Sequence, residues 1–349
     1  MAAIASRGKQ AKFDYAAAVR NLRDEGPQRI YLLYGEEDYL REQFFEELKK
    51  LTVDPFTADF NHKRIMDLST GMDDLREAVE ALPFFAERTL VEVREFDPAK
   101  LKERDLEQLK ALIQDIPEYC TLVLVPPTGK DPDGRLAVVK AIRKQGKAIE
   151  FTAQGESMLC NWIRRRFRAM DKEISDAAAE HLVFVSGSLM NQLIMEIEKV
   201  AGYAKGTEVT VQDIDAVVTR LPESNIFEMT ERLAKRDFNG AAAIAADLLR
   251  NKEHPIMLTA MVGQQFRRLY VAKLSMEESL GSDYVQEACG IKHMFILKRL
   301  MAAAQGFSLQ QLACAVTLCA ETDFAMKSSG GDSEERFKDL LLRLALEAV

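Results

Sequence analysis

The N-terminal part of the chain alternates between short apolar runs and longer segments of mixed character. Runs rich in apolar residues at positions 30–34, 89–93 and 121–125 predict buried strands, and weaker runs at 63–66 and 148–151 predict two more. Between these runs, apolar residues recur every three or four positions, as on one face of a helix. Strands that alternate with helices predict a mostly parallel sheet that is covered by helices on its faces.

One of these predicted helices leads into the third strand-like run. Met72, Leu75, Val79 and Leu82 lie three or four residues apart, which predicts a single apolar stripe along a helix. Proline disfavours the helical conformation in the residue before it, so Pro83 is expected to end this helix. Leu82 is therefore expected to continue the buried stripe.

After residue 155 the pattern predicts helices only. Thr210 and Asp213 have the spacing of a capping box, in which each residue caps the backbone of the other at the start of a helix. Pro222 marks a boundary, and about five amphipathic helices are expected between Asn225 and the C-terminus.

The change of pattern divides the chain into three predicted domains. Residues 1–152 form an α/β domain, residues 153–221 a small helical domain and residues 222–349 a larger helical domain. A chain of 349 residues is long enough for two or three hydrophobic cores.

Composition narrows the function classes further. The formal charge of −8 makes nucleic acid an improbable main partner for the isolated chain, because an acidic surface repels phosphate. No run of apolar residues is long enough to span a membrane, and residues 1–12 lack the apolar core of a signal peptide, so we expect a cytoplasmic protein without membrane partners. The five scattered cysteines fit neither a disulfide framework nor a zinc site.

The turn after the first predicted strand resembles a phosphate-binding loop but lacks its chemistry. Such a loop requires Gly-x4-Gly-Lys-Ser/Thr between a strand and a helix. Gly35 occupies the first position, whereas Leu40, Arg41 and Glu42 stand where glycine, lysine and a hydroxyl residue are required. Acidic side chains at residues 36–38 add charge that repels a nucleoside triphosphate.

Other enzyme signatures are also missing. The run at residues 90–95 has no aspartate at its end that would hold a metal ion, and the four histidines are isolated in the sequence. We therefore expect no catalytic site, no metal site, no cofactor and no small-molecule substrate.

Taken in order, four stretches of the sequence resemble the δ subunit family of bacterial DNA polymerase III. They lie at residues 30–40, 82–91, 189–200 and 226–229, with residues 264–269 following the last. The resemblance implies an AAA+-like module with a degenerate phosphate loop, a helical lid and a helical collar that joins a pentameric ring. It implies a non-catalytic clamp-loader subunit of a DNA polymerase complex.

The resemblance also implies partners and a binding element. The partners are the ring-shaped β sliding clamp, the ATP-binding τ/γ subunits and the δ′ subunit, with primer–template DNA only within the assembled complex. The family's clamp-binding element is an apolar wedge, which falls on Leu82, Phe84 and Phe85 in this sequence. Some relatives carry leucine where this chain has Phe84, and the wedge stays apolar.

The residues alone leave the environment of the two phenylalanines open. Adjacent aromatic residues in a connection after Pro83 cannot easily face one core, and an exposed aromatic pair is a typical interface anchor. The alternative is that the pair before the strand belongs to the core. The basic run at residues 162–168 likewise has two interpretations, as a contact to DNA phosphates or as a helix face paired with nearby acids.

Two other functions remain as alternatives at this point. One is an active AAA+ ATPase, which the altered phosphate loop disfavours. The other is a helical scaffold protein unrelated to replication, which predicts no affinity for a sliding clamp.

Overall fold

The computed structural model describes residues 13–68, 71–291, 293–328 and 331–348. Its described residues form two compact units. The first unit runs to Gln154 and includes the short segment Leu189–Asn191, and the second unit comprises the other described residues.

The first unit is built from alternating strands and helices. The strands are β1 (Ile30–Gly35), β2 (His62–Ile65), β3 (Thr89–Val93), β4 (Cys120–Leu124) and β5 (Lys147–Phe151). The helices are α1 (Tyr15–Glu25), α2 (Asp38–Thr52), α3 (Ala58–Asn61), α4 (Asp73–Glu80), α5 (Glu103–Gln114) and α6 (Ala137–Gln145), with 3-10 turns at Pro55–Thr57 and Pro98–Lys100.

The five strands form one parallel sheet in the order β2-β3-β4-β1-β5. Every residue of β3 and β4 is buried, because helices cover both faces of a parallel sheet. Leu32 and Leu124 from the sheet pack in one cluster with Leu75 of α4 and Ile142 of α6. The α/β class predicted from the sequence, a parallel sheet flanked by helices and followed by helical regions, is thus confirmed.

The second unit is mainly helical. Its helices are α7 (Glu156–Arg168), α8 (Asp176–Ser186), α9 (Met190–Tyr203, whose first residues belong to the first unit), α10 (Val211–Val217), α11 (Pro222–Ala234), α12 (Phe238–Arg250), α13 (Pro255–Glu277), α14 (Ser282–Cys289), α15 (Met294–Ala304), α16 (Leu309–Ser328) and α17 (Ser333–Arg343), and a π-helical turn follows at Leu344–Ala348. The predicted capping box is confirmed, since the side chains of Thr210 and Asp213 each accept a hydrogen bond from the other's backbone N–H.

Two expectations for this unit were wrong. Residues after 155 include a short parallel pair of strands, β6 (Glu173–Ile174) and β7 (Glu208–Val209), which are too short to show a periodicity. Seven helices rather than five follow residue 222 in the described residues, partly because Gly290 takes a left-handed conformation and ends α14. No helix in the described part of the chain is both long and apolar enough to cross a membrane.

Candidate functional site

The connection between α4 and β3, residues 81–88, carries the three predicted wedge residues on the surface of the first unit. Leu82 is 77% exposed, Phe84 48% and Phe85 87%. The expectation that Leu82 continues the buried stripe of α4 was wrong. The helix ends at Glu80, and the extended backbone of Ala81 turns the chain away before Leu82 is reached.

Phe85 adopts an unusual backbone conformation. Its φ angle is +48°, in the left-handed region that disfavours residues with a Cβ atom. This conformation costs about 1–2 kcal/mol for an ordinary residue. Such strain persists only where the surrounding structure fixes the backbone, and it clusters at functional sites.

Asn61, the last residue of α3, supplies that fixation. Its side-chain Oδ1 accepts a hydrogen bond from the Phe84 N–H at 2.7 Å, and its Nδ2 donates one to the Phe84 carbonyl oxygen at 2.8 Å. The Asn61 side chain is fully buried. The two bonds hold the peptide groups on both sides of the Phe84 Cα atom.

The aromatic rings of this region contact one another. The Phe84 ring lies 4.7 Å from the Phe60 ring and 4.6 Å from the Phe85 ring, the latter in an edge-to-face arrangement. Phe60 is itself 59% exposed. We call Phe60, Leu82, Phe84 and Phe85 the exposed apolar surface. Clustered exposed apolar side chains of this kind mark interaction sites.

Phe60 and Asn61 were not identified from the sequence. The sequence did contain a signal, because Phe56 and Phe60 lie four residues apart in a stretch, residues 54–61, that has no other large apolar residue. Phe56 is almost fully exposed. The pairing of this stretch with residue 84 depends on tertiary structure.

The loop after β1 has a structural reason for its glycine. Gly35 has a φ of +120°, and a Cβ atom there would lie 2.4 Å from the carbonyl oxygen of Phe151 in the adjacent strand. Glu37 donates its backbone N–H to the same carbonyl group. Close packing of β1 against β5 therefore explains why position 35, the first position of the phosphate-loop pattern, is a glycine.

Two charged residues, one in this loop and one in the first turn of α2, are buried. Arg41, which stands where the pattern requires lysine, is buried and pairs with Asp38 at 2.7 Å. Glu37 is also buried, and its Oε2 accepts a hydrogen bond from the Met190 N–H at 3.3 Å. Burial raises the pKa of Glu37 to about 7, although the bonds from the backbone of Met190 and Tyr39 oppose the shift.

Glu42 and Arg94 occupy the two positions at which the sequence departs from the nucleotide-binding patterns. Glu42 stands where the pattern requires a hydroxyl residue, and Arg94 follows β3, where a metal-binding strand would end in an acid. Two hydrogen bonds, of 2.5 and 2.8 Å, connect the Arg94 guanidinium to the Glu42 carboxylate. The guanidinium also lies over the Phe45 ring. This ion pair ties α2 to the end of β3.

Arg94 has a second acidic partner, Glu92, which is fully buried within β3. Glu92 also accepts hydrogen bonds from His62 and Arg64, at 3.1 and 3.0 Å. Burial alone would raise the pKa of Glu92, but these bonds and the charge of Arg94 outweigh it and lower the pKa to about 2. Glu92 is ionised and fully engaged by cations of the protein.

The structure also describes the basic helix and the cysteines that were considered in the sequence. In the basic helix α7, Arg164 pairs with Asp176 at 2.7 Å and Arg166 lies over the Trp162 ring. All five cysteines are free thiols. Within the described ranges, no group of three or more His, Cys, Asp or Glu side chains is arranged to hold a metal ion.

Comparisons with known proteins give consistent relatives along the whole chain. A family model described as "DNA polymerase III, delta subunit" matches residues 31–153, and one described as "DNA polymerase III delta subunit, C-terminal domain" matches residues 223–344. The chain is 30% identical to the DNA polymerase III subunit delta of Bacillus subtilis, over 91% of each protein.

Two more relatives extend the comparison. The probable DNA polymerase III subunit delta of Aquifex aeolicus is 20% identical, over 92% of this chain and 93% of the relative. The solved structure of the Bacillus subtilis DNA clamp loader delta protein superimposes with a TM-score of 0.55 and 27% identity, covering 96% of this chain and all of that one.

Proposed function

Because the chain belongs to the DNA polymerase III delta subunit family and is a clamp-loader subunit, we propose that it binds the β sliding clamp through Leu82, Phe84 and Phe85 and opens the clamp ring. It does so without hydrolysing ATP. The observation that carries the proposal is the exposed aromatic pair, held on a fixed loop with Phe85 in a strained backbone conformation.

The exposed wedge side chains would contribute part of the affinity for the sliding clamp. Burying a large apolar side chain in a partner pocket contributes about 1.5–3 kcal/mol. Leu82 and Phe85, which are the most exposed of the three, would together contribute about 3–6 kcal/mol on this basis. Because a dissociation constant of 1 μM corresponds to about −8.2 kcal/mol and association also has an entropic cost, these side chains supply only part of the affinity and other contacts supply the rest.

The ion pairs at the former nucleotide site support the absence of hydrolysis. Glu42 places a carboxylate bound to Arg94 where a magnesium ligand would be needed. Arg41 is buried and paired with Asp38, away from the place of a phosphate-binding lysine. A nucleoside triphosphate would have to displace these pairs and bring its own negative charge close to Glu36 and Glu37.

A subunit that does not hydrolyse ATP acts through a difference in its affinity for two states of its partner. A ligand shifts a conformational equilibrium only by the difference in its affinity for the two states. The wedge therefore binds the clamp more tightly when a nearby clamp interface is open. ATP binding in partner subunits controls access to the wedge.

The remaining parts of the chain serve assembly. We propose that residues 153–221 form a lid domain and that residues 222–349 form a collar, which joins the τ/γ and δ′ subunits in a pentameric ring. Primer–template DNA is contacted only within that ring, since the isolated chain has a net charge of −8.

Titration calorimetry of the purified chain with its sliding clamp, without nucleotide, tests the proposal. We expect binding by the wild type and a loss of about 3 kcal/mol or more in the Phe84→Ala/Phe85→Ala variant, with unchanged thermal unfolding. Phe324→Ala is the matched control, because Phe324 is an equally exposed phenylalanine in the second unit. The absence of wild-type binding would overturn the function, and unchanged binding by the double variant would overturn the site.

A further inference from the structure

The loop that carries the wedge is attached to the first unit at three places. Tyr119 donates its hydroxyl hydrogen to the Glu80 carbonyl oxygen at 3.0 Å, where α4 ends. Arg88 donates to the Pro27 carbonyl oxygen at 3.5 Å, just before β3 begins. Between these two anchors, Asn61 is the residue that bonds both the N–H and the carbonyl group of Phe84.

The position of Asn61 makes it specific for the conformation of the wedge. Its two bonds fix the peptide groups on either side of the Phe84 Cα atom, immediately before the left-handed Phe85. The neighbouring Phe60 ring supports the Phe84 ring at 4.7 Å. Consecutive residues of α3 therefore hold one wedge residue by its backbone and by its side chain.

We propose that Asn61 is a positioning residue for clamp binding, and that together with Phe60 it presets Phe84 and Phe85 in the conformation that enters the clamp. This inference rests on the proposed function and deepens it. Asn61 is fully buried in the first unit, so it acts on affinity through the wedge and makes no contact with the clamp itself.

The physical basis is preorganisation. A loop that is ordered before binding does not lose its conformational freedom in the complex. Without the two bonds, Phe85 is free to leave the left-handed region, and the rings of Phe84 and Phe85 separate. Clamp binding must then restore both the backbone conformation and the ring arrangement, so the affinity falls while the apolar surface stays available.

Calorimetric titration of the full chain with the sliding clamp tests this role in a double-mutant cycle. The variants are Asn61→Ala, Phe85→Ala and their combination. We expect Asn61→Ala to weaken binding by about tenfold. The combined variant should lose less affinity than the product of the two single losses, because a displaced Phe85 ring contributes less.

Two further variants separate positioning from general destabilisation. Asn61→Asp keeps the size of the side chain and an acceptor for the Phe84 N–H, but it loses the donor to the carbonyl group, and it replaces Asn61→Ala in the cycle if that variant does not fold. Thr52→Ala is the matched control, since it removes another buried hydrogen bond from a side chain to the backbone of the first unit. Hydrogen exchange in residues 81–88 should accelerate in the Asn61 variants and stay unchanged in Thr52→Ala.

The outcomes are distinguishable from a failure of the proposed function. If the wild type does not bind the clamp, the proposed function fails and the inference fails with it. If the wild type binds and the Asn61 variants bind within about twofold of it, the inference alone is wrong. Losses that simply multiply in the cycle, or an equal loss in Thr52→Ala, would also overturn a positioning role.

Discussion

Replacing Phe85 by asparagine should separate folding stability from clamp binding. Asparagine tolerates the left-handed conformation better than phenylalanine does. The substitution therefore recovers part of the strain of about 1–2 kcal/mol that Phe85 bears at its φ of +48°. It also removes the edge-to-face contact with Phe84, which is worth about 0.5–1.5 kcal/mol.

The relief of backbone strain and the loss of the ring contact with Phe84 nearly cancel in the free energy of unfolding. The Phe85 side chain is 87% exposed, so little buried apolar surface is lost from the folded chain. We expect the free energy of unfolding to change by no more than about 1 kcal/mol. Clamp affinity should fall by about 1.5–3 kcal/mol, or roughly tenfold to a hundredfold, because the ring no longer enters the partner pocket.

Urea unfolding followed by circular dichroism, and calorimetric titration with the clamp, measure the two effects in one preparation. Phe44→Ala is the control, because that ring is 1% exposed and its removal should cost about 3–5 kcal/mol of stability. A loss of stability in Phe85→Asn close to that of the control would show that Phe85 belongs to the core. Unchanged clamp affinity would refute its role in binding.

Two further predictions concern buried charged residues near β1 and β3. Arg94→Met should destabilise the chain by about 3 kcal/mol at pH 7 and raise the pKa of Glu92 from about 2. Because the stability due to ionised Glu92 is lost as the pH falls below 4.5, the difference in the free energy of urea unfolding between variant and wild type should narrow towards pH 3. A constant difference would contradict this. Glu37 has a folded-state pKa of about 7, above the 4.5 of the unfolded chain, so its burial costs stability as the pH rises through 7. Glu37→Gln should therefore be more stable than the wild type at pH 8, by up to about 3 kcal/mol, and about as stable at pH 4.5 in thermal unfolding. An equal difference in stability at both pH values would contradict the raised pKa of Glu37.

The strands and the parallel character of the sheet were predictable because each buried strand is a short apolar run between helical segments. The same periodicity misled at Leu82, which has the spacing of the α4 stripe although the helix ends at Glu80. Spacing describes which face a residue would occupy if the helix continued, but it does not fix where the helix stops.

The candidate site was only partly predictable. The sequence identified Phe84 and Phe85 but left their exposure open, since an aromatic pair before a strand is also typical of a core. The backbone of Phe84 is held by Asn61, which lies 23 residues earlier in the chain, through two hydrogen bonds that no local pattern reveals. The departure of Glu42 from the phosphate-loop pattern was evident from the sequence, whereas its ion pair with Arg94 required the packing of α2 against β3.

The central claim is that the wedge opens the clamp without ATP hydrolysis by this chain. It is tested most directly by the lifetime of a fluorescent sliding clamp that has been loaded onto closed circular DNA. Addition of the purified chain without nucleotide should release the clamp faster than its spontaneous loss, and the Phe84→Ala/Phe85→Ala variant should leave the lifetime unchanged. Release that requires ATP, or an unchanged lifetime in the presence of wild-type chain that binds the clamp, would contradict the account.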